Sequence, residues 1–265
     1  MTSGDRNLFT EITKLNLFNI EEIKSFIINY TKLSCNLVVD KSGNIIKEDA
    51  NTRNLIIFDF RPVGFTVNNI IDDRAYLDLI GCQDTKQLNG KETSVGIIKK
   101  VEDKFYVSNL NFNFLHQNIS TPEHNICEGN SLYGIQLNAY IPLFMLVKLI
   151  SEQNDCVRYY NFTLYNRSIS SICGCTELIR RIMPEKVILV SLCYENDITK
   201  SGAGPAIVIK DGNGVTKKEV YSQIENIATT NNIQHQFFIG KTDKIYENML
   251  FDKIKKKAKR KGTLL

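Results

Sequence analysis

The 265-residue chain has no tryptophan, only five prolines and fifteen glycines. So little Pro and Gly excludes a collagen-like or low-complexity chain, and a hydrophobic share of 43% excludes a disordered one. Long apolar runs are missing too. The longest, Tyr140 to Ile150, is interrupted by Pro142 and Lys148 and falls short of the roughly 20 residues that a membrane-spanning helix needs, so no transmembrane segment is expected. The N-terminal stretch carries Asp5 and Glu11 and no small-residue cleavage site, so no secretory leader is expected either and the expected location is cytoplasmic. Histidine is scarce. His116, His124 and His235 are dispersed, and the step from His116 to His124 is not a helical ligand spacing, which disfavours a histidine-built metal centre. Cysteine is present but unpatterned: Cys35, Cys82, Cys127, Cys156, Cys173, Cys175 and Cys193 are odd in number and scattered, as reduced thiols are. Cys173 and Cys175 are the one close pair, and no second Cys or His pair stands near them at zinc spacing. A Cys–His nucleophile pair stays open on sequence grounds, with nothing to single out one thiol.

Charge is uneven. The last fourteen residues hold seven of the 33 Lys and Arg but one of the 29 Asp and Glu, so the body is slightly acidic and the net +4 is a property of the tail. Lys255, Lys256, Lys257, Lys259, Arg260 and Lys261 form a run that reads either as a solvated terminus or as a weak contact with nucleic acid or an anionic surface. No aromatic residue is interleaved there, so any nucleic-acid binding by the tail is expected to be unspecific.

The length suits one large domain or two smaller ones. Apolar positions at helical spacing (Leu8, Ile12, Leu15, then Ile20, Ile23, Phe26, Ile27, Tyr30) predict two helices with a break near residues 16–19. Residues 36–46 read as strand, turn, strand, with Ser42-Gly43-Asn44 in the turn. The continuous apolar run Leu55–Phe58 predicts a central strand buried on both faces. Short β-like runs follow from residue 63 to about 114, then a polar linker over 116–128 and a strongly apolar helix over 137–152. Beyond it come a strand at 159–164, a helix at 176–182, a strand at 187–192, the glycine-rich Ser201-Gly-Ala-Gly-Pro205, a helix at 217–231 and a strand at 235–239. Alternating strands and helices imply a layered α/β domain. It lies in two pieces, 1–62 and 126–251, around an inserted β module at 63–125, with 252–265 as a basic tail.

Several strings in this order resemble the tetrahedral (glutamyl) aminopeptidase family, also called cellulase M and deblocking aminopeptidases. Asp40-Lys-Ser-Gly-Asn-Ile-Ile46 is similar to its D-x-x-G-N turn, and Val63-Gly-Phe-Thr-Val-Asn-Asn-Ile70 to the segment after its first metal motif. Leu79-Ile-Gly81, Leu88-Asn-Gly90 and Val95-Gly-Ile-Ile98 fall where its inserted domain has comparable strings. Lys200-Ser-Gly-Ala-Gly-Pro-Ala-Ile207 resembles its G-x-G-P-A/S-I, and Gly240-Lys-Thr-Asp243 its G-G-T-D. The resemblance implies a phosphorylase/hydrolase-like zinc-peptidase α/β domain with an inserted small β-barrel domain. For the family it implies two divalent metals, a bridging carboxylate and a Glu general base.

At the five ligand positions this chain departs from the pattern. The H-x-D-E before G-F is Asp59-Phe60-Arg61-Pro62, the L-D-D-R aligns with Leu132-Tyr133-Gly134-Ile135, and the Q-E-E-x-G aligns with Tyr165-Asn166-Arg167-Ser168. The Asp ending the next strand falls at about Ser191, and no His follows His235. Arg61 and Arg167 carry the wrong charge for a cation site. One positive charge at about 4 Å opposes a divalent ion by roughly 8 kcal/mol at an effective dielectric near 20, comparable with the about 10–16 kcal/mol of a structural zinc site. Neither Asn166 nor Arg167 accepts a proton at neutral pH, so the general base is gone as well.

The expectation is therefore a catalytically inactive aminopeptidase-like protein with no metal or other cofactor and a binding or assembly role. The vestigial site is Asp59, Arg61, Tyr133, Asn166, Arg167 and Ser191, with Asp59 ion-paired to Arg61, Arg167 or both. The cleft wall is Gly202, Gly204, Pro205, Thr242 and Asp243; the glycine-rich loop lacks the trailing G-K-S/T of a phosphate loop. The expected partner is a second copy of the chain, as a dimer or larger, or another protein. Two alternatives are an active metal-dependent aminopeptidase with a rebuilt site, and a polyanion-binding protein acting through the tail.

Overall fold

A computed structural model describes residues 2–240 except 34–35, 50, 63, 81–88, 91, 94, 111–112, 114, 116–117, 121–125, 129–130, 134–135, 153–157, 167–172, 194 and 212–213. Helices α1 (Ser3–Thr13) and α2 (Ile20–Thr31) lead into strands β1 (Val38–Val39), β2 (Ile45–Lys47) and β3 (Asn54–Phe60). Then come β4 (Gly64–Ile71), β5 (Arg74–Ile80), β6 (Glu92–Thr93), β7 (Gly96–Ile97), β8 (Lys99–Val101), β9 (Lys104–Ser108), β10 (Asn118–Ser120), β11 (Ile126–Glu128) and β12 (Ser131–Tyr133). Helix α3 (Leu137–Glu152), β13 (Asn161–Asn166), α4 (Cys173–Ile182) and β14 (Lys186–Val190) precede β15 (Ala206–Asp211), β16 (Gly214–Val215), α5 (Lys218–Thr230) and β17 (Gln236–Ile239). The chain divides into two compact units, Met1–Gly174 with Pro184–Ser191, and Cys175–Met183 with Leu192–Leu265.

In the first unit, one five-stranded sheet has the order β1-β2-β13-β3-β14, with β13, β3 and β14 parallel. Six of the seven residues of β3 are buried, because helices cover Ile56, Phe58 and Phe60 on one face while Leu55 and Ile57 are buried on the other. Local chemistry starts α1 and α2 of that covering layer. The Thr2 hydroxyl accepts from the Asp5 N–H (3.2 Å) while the Asp5 carboxylate accepts from the Thr2 N–H (2.9 Å), a reciprocal cap. Asn19 caps α2 by accepting from the Glu22 N–H, so the predicted break at 16–19 is a helix start. Phe9 meets Tyr140 and Phe144 of α3 edge-on at 6.3 and 6.0 Å. The 36–46 turn closes on the Asp40 carboxylate, which accepts from the Ser42 and Asn44 N–H groups, with Gly43 at a φ of +75°.

The second five-stranded sheet, β10-β4-β5-β9-β8, is antiparallel throughout. Alternation sends Phe65, Val67, Leu77, Phe105 and Val107 into a core of its own. The polar linker expected over 116–128 is corrected here: residues 118–120 pair with β4, and 126–128 pair with β12. These strands are three residues long, and pairing, with distant β4 for the first and with neighbouring β12 for the second, outweighs their polar composition.

In the second unit, β15 lies between β16 and β17 and runs parallel to β17, with α5 in the connection. The sequence reading contained no strand at 206–211. Ala206-Ile-Val-Ile is apolar enough for one, but the run follows directly on the glycine-rich turn. Among the described residues no helix is long and apolar enough to cross a membrane.

Candidate functional site

The parallel strands β3, β13 and β14 bring their carboxyl ends together, and in open α/β sheets that edge is where ligands bind. Asp59 stands opposite Tyr165, Phe60 opposite Asn166, and Val190, just before Ser191, opposite Phe58. The Asp59 side chain is fully buried and that of Arg61 is 17% exposed. Three donors converge on one oxygen, Asp59 Oδ2. They are Arg61 Nε (2.7 Å), Arg61 Nη2, and the Ser191 hydroxyl (2.8 Å), with Nη2 also 3.3 Å from the Ser191 oxygen. The guanidinium fork engages one carboxylate oxygen from two nitrogens, a strong charge-assisted pairing.

The backbone of Arg61 is held as well. Its N–H donates to the Asn138 carbonyl at 3.1 Å. In an unbroken helix that carbonyl would take the N–H of residue 142. Pro142 has none, so the helix defect supplies an acceptor that pins the exit of β3 to the first turn of α3. The sequence showed the proline within an apolar helix; the use of its freed acceptor was missed.

The donor set fits an internal ion pair and not a pair of metal ions. A divalent ion needs oxygen or nitrogen lone pairs, whereas the atoms that meet at Asp59 Oδ2 are donors, two of them on a cation. Among the described residues no three His, Cys, Asp or Glu side chains converge as a metal group. Cys193 is a free thiol, and desolvation pushes its pKa up, which works against a thiolate nucleophile.

The structure thus joins three of the six residues expected at this site, Asp59, Arg61 and Ser191, and pairs Asp59 with Arg61. Asn166 ends β13 beside them in register, and Tyr133 ends β12 in its ribbon with β11. Arg167, Thr242, Asp243 and the basic tail (Lys255, Lys256, Lys257, Lys259, Arg260, Lys261) lie outside the described residues. Gly202, Gly204 and Pro205 belong to the second unit. There Gly204 has φ +86°, and a Cβ on it would lie 2.1 Å from the Gln234 carbonyl oxygen, so the close approach requires glycine. The Gln236 side chain fastens this turn by donating to the Lys200 and Gly204 carbonyls, each at 2.9 Å.

No family model and no curated protein matches the sequence. Solved structures do match the fold. The TET1 peptidase of Pyrococcus horikoshii, which assembles into a tetrahedron or a large octahedral shell, superposes with a TM-score of 0.73 at 16% identity, over 90% of this chain and 85% of its own. A TET aminopeptidase from a marine-sediment thaumarchaeote gives 0.72 at 17% identity over 91% and 82%. An endoglucanase from Thermotoga maritima gives 0.61 at 19% identity over 83% and 78%. The chain therefore has the α/β fold of the TET aminopeptidases and related endoglucanase-like peptidases, as its sequence strings implied.

Proposed function

We propose that this chain retains an aminopeptidase fold for binding or assembly and has exchanged metal-dependent hydrolysis for an internal ion pair. The supporting observation is the filling of the strand-end site: Arg61 and Ser191 already supply hydrogen bonds to the buried Asp59 carboxylate. In this reading Asp59, Arg61, Tyr133, Asn166, Arg167 and Ser191 stand at former ligand and base positions, while Gly202, Gly204, Pro205, Thr242 and Asp243 formed the cleft wall. Elemental analysis of protein grown with added zinc, cobalt or manganese should find less than about 0.1 equivalent per chain, because the tethered guanidinium opposes each dication. Stoichiometric metal together with chelator-sensitive hydrolysis of aminoacyl-anilides would instead establish a rebuilt, active aminopeptidase.

The assembly role takes its support from the P. horikoshii neighbour, which forms closed shells. The module at 63–125, inserted between 1–62 and 126–251, is the proposed contact. Its core is small, so packing against a second copy gains much for it. Light scattering at micromolar concentration should give a mass of at least two chains. A mass near the 30.3 kDa of one chain, unchanged on concentration, overturns this part.

A further inference from the structure

The outward face of the antiparallel sheet has a composition that neither the peptidase fold nor the Asp59 site uses. By register, Lys99, Tyr106, Tyr76 and Asn69 stand side by side on β8, β9, β5 and β4, a single row across four strands. The two tyrosine rings lie 6.2 Å apart. The Arg74 guanidinium sits 5.2 Å from the Tyr106 ring, and the Lys104 ammonium 6.0 Å from the Tyr76 ring. Arg74, Lys99 and Lys104 are exposed, Tyr76 is half-buried, and Tyr106 is 9% exposed beneath its arginine.

Charge on this face is sorted by position. The outward strand positions carry three cations against one acid, Asp78. The other nearby acids (Asp72, Asp73, Glu102, Asp103) lie in the β4–β5 and β8–β9 turns, at opposite ends of the strands. A chain of negative charge laid across the strands meets Lys99 in its row, with Arg74 and Lys104 one outward position to either side, each next to an acidic turn. An apolar partner would leave the cations without counter-charge, and a small anion would have no use for the rings. A duplex buries its base faces. The ligand that matches is one with exposed planar rings on an anionic backbone.

The geometry points to single-stranded nucleic acid as the ligand of this face. One base stacks on Tyr76 once the Lys104 ammonium that lies over this ring moves to a phosphate, and Lys99, Arg74 and Lys104 take the adjoining phosphates. Tyr106, covered by Arg74, supports the edge of Tyr76 and does not receive a base. None of these residues belongs to the basic tail, whose contribution must be removed in the test.

The test is fluorescence anisotropy with labelled oligo(dT) and oligo(U), on the full chain and on a full chain whose six tail cations at 255–257 and 259–261 are changed to Gln. Binding is expected in both backgrounds. Tyr76→Ala should weaken it about tenfold in both, and Tyr76→Phe should retain it. Lys99→Gln and Lys104→Gln should each lower the salt slope by nearly one. Binding to a duplex of equal length should not respond to Tyr76→Ala. Should Tyr76→Ala fail to fold, the double change Lys99→Glu with Lys104→Glu is expected to abolish binding in the tail-neutral chain. The proposal is overturned by absence of binding in low salt, by binding indifferent to both variants, or by binding that vanishes with the tail charges alone.

Discussion

The two five-stranded sheets of the first unit solve one problem in opposite ways. In the mostly parallel sheet, β3 is enclosed on both sides, so its one acid, Asp59, has to be matched inside the protein, and Arg61 and Ser191 do so. In the antiparallel sheet, β5 and β9 have one face in a core and one in water. Charges there need no partner, and Arg74 and Lys104 rest on tyrosine rings. A polar residue in the enclosed sheet is thus a structural commitment, while on the half-open sheet it is available to a ligand.

The comparison sharpens most at β3. Phe60 is fully buried in the helix-covered core, and Phe60→Ala should destabilise by about 3–5 kcal/mol in chemical denaturation. Next comes the charge beside it. Arg61→Met leaves the Asp59 carboxylate buried without its cation and should cost about 3 kcal/mol, part of which Asp59→Asn should restore in the double variant. A loss under about 0.5 kcal/mol would show a solvated site and remove the support for an ion pair in place of metals.

A smaller effect tests the helix layer over the enclosed sheet. Lys148 of α3 pairs with Asp5 of α1 at 2.7 Å. This hydrogen bond, helped by the Thr2 cap, holds the Asp5 carboxyl down to about 2, against an ordinary value of 3.8. The folded form therefore binds the proton less readily than the unfolded one. The stabilisation is complete above the ordinary value and is lost as pH falls from there through about 2. The Tm of the wild type should drop over that window, and Asp5→Asn should lower the Tm at neutral pH while flattening this part of the acid limb. An unchanged acid limb would mean the pair contributes nothing. The smallest effect belongs to the open face, where Tyr76→Phe should alter stability by less than about 0.5 kcal/mol. A larger loss would show that the Tyr76 hydroxyl is structural and weaken the contrast between the sheets.

Much of the fold was legible because its signals are local. Residues 137–152 form a helix over the span that their apolar character predicts, and Leu55–Phe58 lie in a strand buried on both faces. The short strand β10 was not legible, since Asn118 finds Thr66 only once the chain has folded back; β11 was missed although its partner β12 lies within seven residues. At the site, pairing of Asp59 with Arg61 could be expected from the intrusion of an arginine beside an acid. The Ser191 hydroxyl as a donor to the same carboxylate, and the Asn138 carbonyl as the anchor of the Arg61 backbone, could not.

The sequence by itself determined the helices and the buried character of β3, because each depends on residue chemistry within a few positions. Tertiary structure alone decided what meets the Asp59 carboxylate. Ser191 reaches Asp59 across 132 residues of chain because parallel β3 and β14 end at the same edge of one sheet. Arg61 is held by a carbonyl that Pro142 released from the helix ladder. Neither acceptor nor donor carries a local mark, since each bond depends on where two distant strands, or a strand and a helix, come to rest.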